Sequence, residues 1–202
     1  LIKAIHATGK PVILVLVTGK PFSIAWEKKH IPAILIQWYA GEQEGSSIAN
    51  ILFGKTNPSG HLTVSFPQSS GHLPAYYNYL PTDRGFYHKP GSYEQPGRDY
   101  VFSSPGPLWA FGHGLTYTTF NYTDMQIQQS VDSIKVFVTV KNTGRWAGKA
   151  VPQLYVRDVF SSISTPVKQL KAFNKVALEP GETTRVPLHF AVQDLALTDE
   201  AG

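Results

Sequence analysis

Two short apolar runs constrain this chain more than anything else in it: Val12-Ile13-Leu14-Val15-Leu16-Val17 after Pro11, and Ala33-Ile34-Leu35-Ile36-Gln37-Trp38. A strand that is apolar at consecutive positions is covered on both faces, as strands of parallel sheets are. The interval between the runs is about the dozen residues or more that a parallel crossover needs, and Pro21 to His30 suits a short helix within it. The spacing predicts a right-handed βαβ unit. Upstream, Leu1, Ile2, Ala4 and Ile5 suggest the end of a helix that Thr8-Gly9 stops. Downstream, Gly41-Glu42-Gln43-Glu44 opens a helix with acids at its positive end, Ile48, Ile51 and Leu52 form its apolar stripe, and Gly54 closes it. Residues 1 to about 66 therefore read as part of an α/β layer fold.

From Met125 onward the pattern changes to strands alone. Ile134 to Val140 alternates apolar and polar residues, Val151 to Arg157 contains a second strand, and further strands fit Gln169 to Leu178 and Thr183 to Phe190. Asn142-Thr143-Gly144 and Glu179-Pro180-Gly181-Glu182 punctuate them as turns. With Phe120 and Tyr122 starting the first strand, five strands fit between Phe120 and Phe190. Short strands at this spacing predict a β-sandwich of immunoglobulin or fibronectin type III kind. Such a sandwich has about seven strands, so the reading expects its last strands to be lacking and an edge to be left unpaired.

Residues 68 to 117 are rich in Pro, Gly, Tyr and Ser and show little periodicity, which marks a functional loop or a linker that wraps another domain. Arg84, Arg98 and Asp99 lie here with Tyr87, Tyr93 and Tyr100. An Arg and an Asp beside tyrosines can hold sugar hydroxyls, and they can equally pin the loop by a local ion pair. Tyr87, Tyr93, Arg98 and Asp99 are the candidate substrate-binding residues, with stacked rings as a sugar platform.

Composition narrows the function classes. Aromatic residues reach 12% while charged residues stay at 16%, a balance that suits carbohydrate better than nucleic acid. The net charge of +4 is spread along the chain instead of gathered on one face, which excludes nucleic acid as a partner. There is no cysteine, so thiol catalysis and thiolate metal sites are absent. The longest apolar run is far too short to span a bilayer, and the opening residues show no leader, so the protein is cytoplasmic or has lost its N-terminus. The seven histidines show no metal-ligand spacing, and no metal or cofactor is expected. Ala49 to Thr56 comes within one residue of a phosphate-binding G-x-x-x-x-G-K-T loop, but Gly54 ends a helix where that loop must open one. Glu42 and Glu44 would point to different faces of a helix, so they read as favourable charge at its N-terminus instead of as an acid/base pair. Asn121-Tyr122-Thr123 matches the N-glycosylation pattern, which matters only in a eukaryotic secretory protein.

The order of motifs resembles the C-terminal part of family 3 glycoside hydrolases, the β-glucosidases and β-xylosidases. The resemblance is carried by "HATGKPVILVLVTGKPFSI" (6 to 24), "IPAILIQWYAGEQEGSSIANILFGKTNPSGHLTVSFPQSSGHLPAYYN" (31 to 78), "LWAFGHGLTYTTFNY" (108 to 122) and "PVKQLKAFNKVALEPGET" (166 to 183). It implies that residues 1–80 end an α/β sandwich domain, 81–117 connect, and 118–202 form a fibronectin type III-like module. On that reading "FGHGLTYTTF" is the hinge into the module, its rings packing between domains, and His113 has no catalytic part.

The implied chemistry is retaining hydrolysis of terminal non-reducing β-D-glucosyl or β-D-xylosyl residues of a β-linked oligosaccharide or glycoside. The nucleophilic Asp is expected in a β/α barrel and the acid/base Glu in the sandwich domain, both upstream of this chain. No catalytic residue is assigned within it, and the fragment alone is expected to be inactive. The missing barrel and the rest of the sandwich domain are the implied partners, and the resemblance implies a periplasmic or secreted protein. The alternative is a non-catalytic carbohydrate-binding or interaction module.

Overall fold

The structure, a computed structural model, describes residues 1–81, 94 and 106–197. These divide into two compact units, one of residues 1–50, 62–77, 94 and 106–113 and the other of 51–61, 78–81 and 114–197.

In the first unit, α1 (Ile2–His6) ends where the Thr8 hydroxyl donates to the Ile5 carbonyl. Strand β1 (Ile13–Val17), helix α2 (Ala25–His30) and strand β2 (Ala33–Gln37) follow, and β1 and β2 pair in parallel with Ile13 opposite Ala33 and Val17 opposite Gln37. The length of the crossover and the helix within it are those that a parallel pair requires. Helix α3 (Glu44–Leu52) then runs to Gly54, whose φ of +72° is the left-handed turn that releases a chain from a helix.

The two strands are less buried than their composition predicts: Ile13 and Val17 are about half exposed. In a two-stranded sheet each strand keeps a free edge, and α1 and α2, five and six residues long, cover only a part of it. The core gathers instead on Ile24, Phe66 and Leu108, with Leu16, Ile34, Ile36, Trp38, Leu62 and Trp109 packed around them.

That core is closed by residues distant in sequence. Segment 108–113 runs antiparallel to 62–66: Phe66 N–H donates to the Trp109 carbonyl, Leu108 N–H to Phe66, Gly112 N–H to Leu62 and Leu62 N–H to His113. Trp109 meets Phe66 edge to face, and Phe111 stacks on Tyr77 with ring centroids 4.1 Å apart. Lys28 Nζ donates to the Leu108 carbonyl and lies over the Trp109 ring, tying α2 to the same segment. Across the helices, Trp26 stacks on His30 and meets His6 edge-on.

The second unit is built from strands. β3 (Phe120–Gln129), β4 (Ser133–Asn142) and β9 (Thr183–Ala191) form an antiparallel sheet in the order β3-β4-β9. Two further pairs are β5 (Gly148–Ala150) with β8 (Val176–Leu178), and β6 (Gln153–Val156) with β7 (Gln169–Phe173). The turn η1 (Val192–Leu195) follows β9. Val140, Ala150, Leu178 and Val186 form the buried centre.

Seven strands stand where five were read from the sequence, because one long hairpin is broken in the middle. Pro152 separates β5 from β6 and has no N–H to give to a ladder. Opposite it, Asn174 leaves the pairing: its N–H donates to the Pro152 carbonyl and its side-chain amide to Pro187. The Gln169–Leu178 strand thereby divides into β7 and β8.

A bulge shapes β3. Between Thr123 and Gln126 the strand advances three residues while β4 advances two, with Asp124 at φ 52°. The extra residue puts Tyr122 and Ile127 on the same face, opposite the buried Val140 and Val136. Without it, five residues apart, they would face opposite ways.

Two asparagines fasten the irregular parts. Asn142, fully buried, accepts from the Thr118 hydroxyl and the Gly144 N–H and donates to the carbonyls of Trp146 and Leu178. Asn57 accepts from the Thr116 hydroxyl and the Tyr117 N–H and donates to Ala147. Each amide bonds both threonine hydroxyl and backbone groups, most of them in the turns and connections between strands.

Candidate functional site

Tyr87, Tyr93, Arg98 and Asp99, with Arg84 and Tyr100 beside them, lie outside the described residues. The two acids weighed as a carboxylate pair take different parts. Glu44 begins α3, its N–H donating to the Gly41 carbonyl, and its carboxylate accepts from the Gln37 amide at 3.4 Å. Glu42 lies in the turn before the helix, exposed. Gln37 is nearly buried at the end of β2, so the Glu44 contact ties α3 to the strand, as suits an acid at a helix N-terminus. Among the described residues no group of three or more His, Asp or Glu side chains could hold a metal ion.

Two places in the described structure gather recognition chemistry. The first is the carboxyl end of the β1-β2 pair, where open α/β sheets bind their ligands. Thr18 extends the pairing by donating its N–H to Gln37, and its hydroxyl donates to the Lys20 carbonyl at 2.8 Å while accepting the Lys20 N–H. This pins the loop after β1. The ring of Tyr39, three-quarters exposed, lies on Gly19, where a Cβ would come within 2.8 Å of the ring. Glycine there leaves room for the Tyr39 ring to approach the backbone closely.

The second place is a cleft in the second unit of about 180 Å³, lined by Pro81, Arg157, Asp158, Ser161, Ser164, Thr165 and their neighbours up to Val167. The Val167 N–H donates to the Tyr79 carbonyl and so joins its two walls. Burial pushes the Tyr79 phenol up from its ordinary range, and the Arg157 guanidinium draws it partly back. Asp158 accepts the Phe160 N–H with one oxygen, and the Ser161 hydroxyl accepts the Ile163 N–H. Among the described residues, no hydrogen bond engages the Arg157 guanidinium or the Ser164 and Thr165 hydroxyls.

A third polar feature is structural. His61 Nδ1 is buried with no partner among the described residues, and burial, reinforced by the Lys175 ammonium, holds the imidazole pKa below its usual value against a backbone hydrogen bond at Ser59.

With this geometry in view, the comparisons with known proteins decide the lineage. The sequence profile of the glycosyl hydrolase family 3 C-terminal domain matches residues 1–117. The chain belongs to glycosyl hydrolase family 3. A fibronectin type III-like domain profile matches residues 150–202 in addition, so an α/β part is followed by an all-β part of that kind. Over 200 residues and 96% of its length the chain is 43% identical to a periplasmic β-glucosidase of Salmonella typhimurium, of which it covers 26%. It is 39% identical to a β-xylosidase of Formosa agariphila over 99% of its own length and 27% of that protein.

Among solved structures, a β-glucosidase from Listeria innocua in complex with gluconolactone superposes with a TM-score of 0.87 at 35% identity, covering 98% of this chain and 28% of that one. The Listeria enzyme has also been solved with glucose and, as a mutant, with laminaribiose. The family 3 chain thus spans about a quarter of the length of the curated relatives it matches. Among the described residues no helix is long and apolar enough to cross a membrane.

The cleft was not anticipated from sequence. Arg157-Asp158-Val159-Phe160-Ser161-Ser162-Ile163-Ser164-Thr165-Pro166 has neither the period of a helix nor that of a strand, and it follows a strand read as ending at Arg157. Its one signal is a cluster of four hydroxyls, Ser161, Ser162, Ser164 and Thr165, beginning three residues after Asp158 of an Arg-Asp pair.

Proposed function

We propose that the protein to which this chain belongs is a retaining β-glycosidase that removes terminal non-reducing β-D-glucosyl or β-D-xylosyl residues. The observation that carries this reading is likeness over nearly the whole chain to a periplasmic β-glucosidase and a β-xylosidase, at 43% and 39% identity. On this reading residues 1–80 end the sandwich domain, 81–117 connect, and 118–202 are the fibronectin type III-like module. The nucleophilic aspartate and the acid/base glutamate belong to the part of the protein that precedes residue 1.

The chemistry is the two-carboxylate scheme. The aspartate attacks the anomeric carbon as the glycosidic oxygen departs with a proton from the glutamate, and water, deprotonated by that glutamate, then releases the sugar. This chain's contribution is to shape the site, with Tyr87, Tyr93, Arg98 and Asp99 assigned as sugar contacts of the connecting segment. The periplasmic relative supports a periplasmic or secreted location.

The test is hydrolysis of aryl β-glucosides and aryl β-xylosides by the full-length protein. Release of one or both aglycones with β-configured sugar as first product is expected. Release of the α-anomer would overturn the retaining scheme, and no release from either substrate would overturn the glycosidase reading.

A further inference from the structure

The cleft at Pro81 and the β6-β7 connection holds chemistry that no hydrogen bond among the described residues consumes. Among the described residues Arg157 and Asp158 are its charged lining groups, and their charges cancel, which favours neither an anion nor a cation. It offers donors from a guanidinium, an acceptor in the second oxygen of Asp158, and hydroxyls from Ser164 and Thr165 that serve as either. Adjacent hydroxyls on a sugar ring need that mixture, because each both donates and accepts. Apolar surface is present as well: Pro81, Val159, Ile163 and Pro166 line the cleft, with Val159 68% exposed.

Size points the same way. About 180 Å³ is below the roughly 300–1,000 Å³ of sites for drug-sized molecules, which leaves room for one ring. The loop is also set in advance. Asp158 is held by the Phe160 N–H, Ser161 by Ile163, and Val167 by Tyr79, so binding need not order a free loop. Pro81 leads directly into the connecting segment that carries Tyr87 and Tyr93.

We propose that this cleft is a sugar-binding site of the fibronectin type III-like part, taking one pyranose ring of a β-linked oligosaccharide through Arg157, Asp158, Ser164 and Thr165, with Val159 against the ring's C–H face. The identity of the ligand rests on the glycosidase reading above; the existence of the site rests on the cleft alone.

The experiment is hydrogen exchange of the full-length protein, read by mass spectrometry with and without a thio-linked, non-hydrolysable cellotetraose. Protection of residues 157–167 at saturating sugar is expected. In Arg157→Ala the affinity governing that protection falls tenfold or more, the scale of one charge-assisted hydrogen bond. Asp158→Asn, which keeps the acceptor for Phe160, weakens it to a smaller extent. Unchanged exchange of 157–167 at saturating sugar overturns the proposal, as does equal protection in wild type and Arg157→Ala. Protection by inorganic phosphate alone, with none by the sugar, overturns it in favour of an anion site. Loss of aryl glycoside hydrolysis is scored separately and speaks only to the glycosidase reading.

Discussion

The two units solve the same problem with different means. Among its described residues the first has a pair of parallel strands and three short helices, and it closes its core by bringing segment 108–113 onto 62–66 from more than forty residues away. The second is built from antiparallel ladders, β3-β4-β9, β5-β8 and β6-β7, in which β9 also reaches β4 from more than forty residues away, and it spends two asparagine side chains on the places where the ladders stop. Closure by one short segment concentrates stability in a few large rings. Extended strand pairing spreads it over a ladder and leaves polar junctions as the weak points.

Substitutions can break that contrast. The largest effect belongs to Phe66→Ala: a fully buried ring lost from the first core should cost about 3–5 kcal/mol and lower the first unit's protection against hydrogen exchange while β4 and β9 keep theirs. Equal loss in both units would show that they do not open separately.

Asn142→Ala should follow at about 2–3 kcal/mol, since it strips the buried Leu178 carbonyl and Thr118 hydroxyl, and the part-buried Trp146 carbonyl, of their partner. Here the 118–119 strap and the 143–146 turn should exchange first, with the first unit unaffected. A loss below about 0.5 kcal/mol in chemical denaturation would mean that water replaces the amide, and that the second unit depends on its ladder alone.

The comparison sharpens with pH. Because the folded state lowers the His61 pKa, the neutral imidazole is the form it favours, and this contribution is complete above the unfolded value near 6.5. It should be lost as pH falls below about 6.5 through the lowered folded value, with uptake of at most one proton on unfolding. His61→Gln should flatten the second unit's stability between pH 7 and pH 5, and an unchanged slope would assign the dependence to other groups.

Arg185→Ala should have the smallest effect, about 0.5–1 kcal/mol. Its guanidinium lies over Phe137 at 4.2 Å and donates to Gln126 at 2.7 Å, on the exposed face where solvent competes. Thermal unfolding of the variant reads it directly.

How much was legible follows from where the forces act. The βαβ unit could be read because consecutive apolar residues and a crossover length are local signals, and β1, α2 and β2 lie within a few residues of the expected ends. The full length of β3 could not, because its bulge breaks the two-residue period that announces a strand. The division of one hairpin into two pairs turns on Pro152 and Asn174 meeting across it, and no local pattern announces which residue faces a proline.

The sequence by itself determined the class of each half, the parallel sense of β1 and β2, the helix ends at Thr8-Gly9 and Gly54, and, through its motifs, membership of glycosyl hydrolase family 3. These depend on periodicity, turn residues and order, which are properties of neighbours along a chain. Only the tertiary structure decided that Asn57 and Asn142 fasten the second unit, that Trp109 closes the core around Phe66, and that Pro81 comes to face Arg157, Ser164 and Thr165 across a cleft. Such meetings join residues dozens of positions apart, and a hydrogen bond or a ring contact depends on a distance in space, which spacing along the chain does not record.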